Sequence, residues 1–152
     1  MLIVGTPLGR IGLCEEKGKL SQIIFSPPGF SAGTATPFLL EAARQLSLYL
    51  SGKLTTFNLP LASPNGTEFQ LAVWSEIAKI GFGCSESYGS IARKLGKPHA
   101  ARAVGLACRS NPLPIVIPCH RVLGAGGKLT GYAGSPSVKK QLLRLEKIEF
   151  CE

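Results

Sequence analysis

"SYGSIARKLGKPHAARAVGLACR", residues 87–109, divides at a Gly-Lys-Pro-His turn into two short helical stretches. The first runs over 87–95 and stops at Gly96; the second runs over 100–109. Two short helices joined by a tight, glycine-containing turn form a helix-turn-helix pattern. Many helical proteins carry such a pair with no nucleic-acid role, so its meaning depends on what surrounds it.

Immediately downstream stands "NPLPIVIPCHRVLG", residues 111–124. Pro112, Pro114 and Pro118 lack a backbone donor and have a fixed φ, which rules out an ordinary helix or a central strand. The reading that remains is a stiff, extended, buried segment that presents Cys119 at a fixed place. His120 follows directly. A thiol becomes a nucleophile when a neighbouring imidazole or a helix N-terminus lowers its pKa. In an extended segment, however, successive side chains point to opposite faces, so contact between the two needs a turn or a bridging water.

Upstream, Thr67 and Gln70 form a T-x-x-Q capping box. Phe69, Val73, Ile77 and Ile80 mark one apolar face of the helix behind it, with Trp74 as core. Ser135 and Pro136 are an N-cap and first position for a last helix. The first half reads as β-strands in "MLIVGTPLGRIGLCEE" and "KLSQIIF", a loop over 26–37, a helix over 38–50 and a returning strand in "TFNLPL". "ASPNG" marks a boundary, giving an N-terminal domain over 1–62 and a C-terminal one over 66–152. "GAGGKLT" lacks the spacing of a phosphate-binding loop and reads as a turn.

The 152 residues are 45% hydrophobic and 17% charged, enough to bury a real core. Neither a leader pattern nor an apolar run long enough for a bilayer is evident, so the expected location is the cytoplasm, or the nucleus of a eukaryote. Seventeen Lys and Arg against nine Asp and Glu give a net charge of +8. Composition alone leaves a nucleic-acid partner and an ordinary solvated surface equally open. Position favours the first: Arg93, Lys94, Lys97, Arg102 and Arg109 cluster in the helix pair, and Lys128, Lys139, Lys140, Arg144 and Lys147 follow Cys119. Five cysteines, odd in number and irregularly spaced, suggest neither a disulfide framework nor a zinc site. Cys14, Cys84 and Cys108 read as small buried hydrophobes, Cys151 as an exposed terminus, and His99 as an exposed turn residue.

"IPCHRV" resembles the active-site signature of the O6-alkylguanine-DNA alkyltransferases, the methylated-DNA–protein-cysteine methyltransferases. The resemblance extends in order from "GTEFQLAVW" through "SYGSIARKLG", "ARAVG" and "RSNPLPIVIPCHRV" to "GYAG" and "LLRLE". It implies a mixed α/β (α+β) fold: a small ribonuclease-H-like sheet-and-helix domain, then a mainly helical domain with the helix-turn-helix. It also implies a monomer that needs no cofactor and acts on double-stranded DNA containing O6-alkylguanine, through the backbone and minor groove. The metal-binding cysteines and histidines in the N-terminal domain of some relatives have no counterparts here, so no zinc is expected.

Residue by residue, the resemblance makes Cys119 the alkyl acceptor and His120 its base through a water. Glu146 would orient the imidazole and Asn111 hold the turn before the active segment. Arg102 would fill the stack left by an extruded base, and Tyr88 would push the 3′ phosphate round. Ala101 and Gly105, with Ala100 and Ala103, would let the helix approach the minor groove closely. Tyr132, Pro114, Val122 and Gly134 would form the substrate pocket, with Tyr132 binding or protonating the departing guanine. Gly134 stands where some bacterial relatives carry a bulky aromatic, which implies room for adducts as large as benzyl.

Taken singly, Arg102 reads as a surface arginine, Tyr88 as core, Glu146 as a solvated helix residue and Asn111 as a turn former. Their joint occurrence at the family's spacing favours the functional reading. The alternative kept beside it is a catalytically silent protein that only binds alkyl lesions; relatives of that kind replace the acceptor cysteine, which is present here.

Overall fold

The computed structural model describes residues 1–29, 35–130 and 132–151; part of the loop expected over 26–37 and Gly131 of "GYAG" lie outside them. The chain divides into two compact units, Met1–Pro64 and Asn65–Glu152.

In the first unit, β1 (Leu2–Thr6), β2 (Gly9–Glu16) and β3 (Lys19–Phe25) form an antiparallel sheet in the order β1-β2-β3. Lys17 and Gly18 both take positive φ, 51° and 75°, as a two-residue hairpin matched to strand twist requires. Thr36 caps α1 (Pro37–Leu50) by accepting from the Leu39 N–H at 3.1 Å, and Pro37 occupies the permitted first turn. Leu39, Ala42, Leu46 and Tyr49 recur at helical spacing and are buried, as are Ile11, Leu13, Leu20 and Ile23 of the sheet. "TFNLPL" does not return as a strand. It makes one parallel bridge, Leu61 to Leu20, in which the Leu20 N–H donates to Pro60 O and the Ala62 N–H to Leu20 O. Pro60 has no N–H with which to extend the ladder. Buried Gln45 pins this segment instead, exchanging two hydrogen bonds with the Asn58 backbone.

The second unit begins with α2 (Glu68–Ile77), whose capping box is complete: Thr67 Oγ1 accepts from Gln70 N–H and Gln70 Oε1 from Thr67 N–H. Next come β4 (Glu86–Ser87), α3 (Tyr88–Lys94), α4 (Ala101–Arg109), β5 (Val122–Leu123) and α5 (Pro136–Leu145). Gly96, at φ 71°, ends the first helix of the pair. Buried Val104, Ala107 and Cys108 face α4 inward, and Trp74 ties α2 to it by donating from Nε1 to Ala107 O at 2.8 Å. Arg102, Ala103, Leu106 and Arg109 face outward. The short strands β4 and β5 pair in parallel, Glu86 with Val122 and Ser87 with Leu123, fastening the start of the helix pair to the chain just after Cys119. Ser135 caps α5 by accepting from the Val138 N–H.

The proline-rich segment is buried but not extended. Leu113 O accepts from the Ile117 N–H at 2.8 Å, and Ile115 takes φ 76°, a costly conformation for a β-branched residue. Proline fixes φ and leaves ψ open, so three prolines allow a coil as readily as a ribbon. Among the cysteines, Cys108 is buried as expected, but Cys14 is only half-buried and Cys84 is exposed. Exposed Cys151 is held by a bridge to Lys128 rather than frayed.

Candidate active site

Pro118 turns the chain sharply (φ −82°, ψ 63°), with the Cys119 N–H donating to Ile117 O. Residues Cys119–Arg121 then form a single 3₁₀ turn. This replaces the strand-like alternation expected at the Cys-His pair. All three side chains are buried.

Asn111 governs the approach to this turn. Its Nδ2 donates to Ile117 O at 2.8 Å and lies 3.2 Å from Cys119 Sγ, while Oδ1 accepts from the Leu113 N–H at 2.9 Å. One short amide therefore closes the coil and touches the sulfur. Burial pushes the Cys119 thiol up to about 11, against the opposing influence of the Asn111 hydrogen bond and the Lys139 charge.

The other side of the turn is organised by Glu146, just beyond α5 and fully buried at its side chain. Its Oε2 lies 2.6 Å from His120 Nε2 and 3.0 Å from an Arg121 terminal nitrogen. Oε1 accepts from Arg121 Nε at 2.7 Å and from the Gly83 N–H at 3.0 Å. Arg121 also donates to Ile80 O at 2.5 Å. Burial lowers the His120 pKa, opposed by the Glu146 carboxylate, so the ring favours its neutral form. With the Nε2 proton directed at Glu146, the basic nitrogen of that neutral ring is Nδ1.

Lys139 is unexpected in this site. Counted in the sequence among surface cations, it is buried on α5 and donates to Thr130 O at 2.7 Å, Val122 O at 2.8 Å and Tyr88 Oη at 3.3 Å. Burial draws its amine down to about 8, which still leaves it protonated at neutral pH. Between pH 8 and 10.5 the unfolded chain holds a proton that the folded chain has released. Stability from this group therefore rises with pH across that window, by about 3 kcal/mol in all. Cys119 works in the opposite sense between pH 9 and 11, and subtracting a variant that keeps Cys119 removes most of its contribution. The unfolding free energy of the native protein minus that of a Lys139→Met variant should increase from pH 8 to 10.5 in urea melts; a flat difference would refute the shift.

Two clefts open nearby. The larger, about 640 Å³, is lined by Tyr88, Arg93, Ala101, Arg102, Gly105 and Arg109 among others. The smaller, about 400 Å³, is lined by Tyr132, Gly134, Pro136 and Lys139, and shares Arg109 and Thr130 with the first. Both lie within the range of small-molecule sites, about 300–1,000 Å³. Tyr88 is buried, its hydroxyl donating to Thr130 O at 2.6 Å, and burial raises that hydroxyl to about 12. A methyl group on Gly105 would meet the Tyr88 ring at 3.9 Å, an ordinary contact, so internal packing does not demand glycine there. Tyr132 meets His120 edge to face, with ring centroids 6.5 Å apart.

The structure thus brings together Cys119, His120, Glu146 and Asn111, groups Tyr88, Ala101, Arg102 and Gly105 on one cleft, and puts Tyr132 and Gly134 on the other. Pro114 and Val122 depart from the expected pocket: both are buried, and neither lines either cleft. Pro114 lies inside the coil, and Val122 offers its carbonyl to Lys139. Arg121 and Lys139 are the residues the sequence reading missed. Among the described residues no group of three or more His, Cys, Asp or Glu could hold a metal ion.

Residues 68–148 match the DNA binding domain of 6-O-methylguanine DNA methyltransferase, and residues 3–63 match its ribonuclease-like domain. A methylated-DNA–protein-cysteine methyltransferase of Methanosarcina mazei is 52% identical over 151 residues, covering 95% of each chain. The constitutive enzyme of that name from Bacillus subtilis is 42% identical over 157 residues, covering 97% of this chain and 94% of its own. The crystal structure of Mycobacterium tuberculosis OGT in complex with DNA superposes with a TM-score of 0.85 at 41% identity, over 95% of this chain and 91% of that one.

Proposed function

The chain belongs to the 6-O-methylguanine DNA methyltransferase family, and from that premise we propose that it repairs DNA directly by moving the alkyl group of O6-alkylguanine onto its own Cys119. In this reading the Cys119 sulfur forms a bond to the alkyl carbon as the bond from that carbon to guanine O6 breaks. The thiol proton leaves through a water to His120, and the departing guanine gains a proton on its ring, with Tyr132 binding or protonating it. Glu146 fixes the imidazole and Asn111 fixes the sulfur. The thioether product offers no bond that water can readily cleave, so each molecule reacts once. O4-alkylthymine presents the same kind of carbon and is a second substrate of this reading.

The observation that carries it is the buried Asn111–Cys119 and His120–Glu146 constellation, at 3.2 Å and 2.6 Å. A target carbon inside a stacked duplex must be brought out to reach such a sulfur. Exposed Arg102, beside Ala103 on the outward face of α4 and sharing its cleft with half-buried Ala101 and Gly105, suits filling the vacated stack from the minor groove. Tyr88 would push the 3′ phosphate round from the wall of the same cleft, its ring held in place by the hydroxyl's bond to Thr130 O. The protein would act as a monomer, in the cytoplasm or the nucleus of a eukaryote; no helix among the described residues is long and apolar enough to cross a membrane. The presence of Cys119 and the names of the relatives favour transfer over silent lesion binding.

The test is the intact and peptide mass of the protein after mixing with a duplex carrying one O6-methylguanine. One methyl on Cys119, saturating at one per molecule, is expected. In the same assay free O6-benzylguanine should leave a benzyl group on Cys119, because Gly134 puts no side chain into the smaller cleft that it lines. Tight lesion binding with no gain in mass would overturn the reading.

A further inference from the structure

Four large apolar side chains stand exposed among the described residues, and Leu106 is the most exposed of them at 63%. Scattered surface leucines are ordinary. Leu106 differs in its setting. It lies four residues after Arg102 and three before Arg109, so the three side chains form one ridge of α4, and all three line the 640 Å³ cleft, with Arg93 beside them. An apolar group flanked by arginines on an otherwise small-residue helix face fits a narrow groove that is anionic at its rims and can be approached closely within. The minor groove of duplex DNA has that character, with phosphates along its edges and base edges on its floor.

Resting on the repair reading above, we infer that Leu106 reads the base pair beside the lesion and gives the protein a flanking-sequence preference. Arg102 fills the gap left by the extruded nucleotide. Leu106 lies one helical turn further on, about 6 Å along the axis of α4, within reach of a pair no more than two base steps from the gap. An A·T pair shows the groove only acceptors, whereas G·C adds the guanine N2 amine on the floor. A leucine pressed there cannot accept from that amine and crowds it. A·T at this position is therefore favoured over G·C.

The experiment measures transfer rates from O6-methylguanine duplexes carrying A·T or G·C at each of the two positions on either side of the lesion. The native protein should favour A·T at one position by roughly tenfold, the usual discrimination of a single base-pair contact. Leu106→Ala should flatten that preference, and Leu106→Asn, whose amide oxygen can accept from the N2 amine, should turn it toward G·C. The ratio of each variant's duplex rate to its rate with free O6-benzylguanine separates groove contact from any change in the pocket. A native protein indifferent to flanking pairs, or a preference surviving in Leu106→Ala, would overturn the inference while leaving repair intact. No transfer from any duplex would bring down the repair reading itself.

Discussion

Replacing Cys119 with serine is expected to stop alkyl transfer while leaving the fold and lesion binding in place. Serine is nearly isosteric, and its oxygen can still receive the Asn111 amide that lies 3.2 Å from Sγ. The chemistry is another matter. A thiol held at about 11 is ionised only about one part in 10⁴ at pH 7, so even sulfur depends on proton removal within the reacting step. A hydroxyl is a far weaker acid and a poorer nucleophile toward saturated carbon. Loss of the nucleophile should slow transfer on the order of 10⁵-fold or more. The readout is an unchanged intact mass after prolonged incubation with the lesion duplex, alongside native-like binding in a gel shift. A methyl group appearing on Cys108 or another residue would show that the acceptor has been misassigned.

Glu146→Gln should carry the largest cost in stability. The Glu146 carboxylate accepts from Arg121 twice, from Gly83 and from His120, and is buried completely. An amide offers one acceptor oxygen instead of two and no charge, so the Arg121 guanidinium would stay buried without its counter-ion. Breaking one half of a buried pair typically costs about 3–5 kcal/mol. For a chain of this size that corresponds to a fall in Tm of about 10 °C. Transfer should slow on the order of 10²-fold as His120 loses its anchor. The double variant Arg121→Leu, Glu146→Leu separates the two effects: it should regain much of the melting temperature yet remain slow. A Glu146→Gln protein that melted within a degree or two of the native one would contradict this account of the site.

Much of the scaffold was legible because its signals are local. Thr67 and Gln70, Ser135 and Pro136, and Gly96 each act within a turn of their own position, where a cap or a positive φ leaves little choice. Where the reading failed, the missing information lay elsewhere in the chain. "TFNLPL" has strand character, but its pairing depended on a donor Pro60 does not possess. The extended reading of the proline-rich segment took a constraint on φ for one on ψ, and Ile115 adopts a conformation that its own side chain disfavours. Lys139 was counted as surface charge and Arg121 was given no role, because a cation's partners are invisible in composition. For Lys139 a signal was present. It falls on the apolar stripe of α5 with Val138, Leu142 and Leu143, and Glu146 continues that stripe one turn later. For Arg121 the signal was its place inside "IPCHRV", beside His120, though its partner Glu146 lies 25 residues on and only the fold brings them together.

The three bonds of Asn111 carry a consequence for the life of the molecule. A residue that both closes the coil over 111–117 and touches the acceptor sulfur makes the shape of that coil depend on what the sulfur carries. Cys119 has no exposed face into which a new alkyl group could project, so the added volume must be taken up by its neighbours, with Asn111 first among them. On the repair reading, spent molecules should therefore differ from fresh ones in conformation as well as mass, and each copy should record one lesion removed in a form that any machinery sensitive to loosened structure can read.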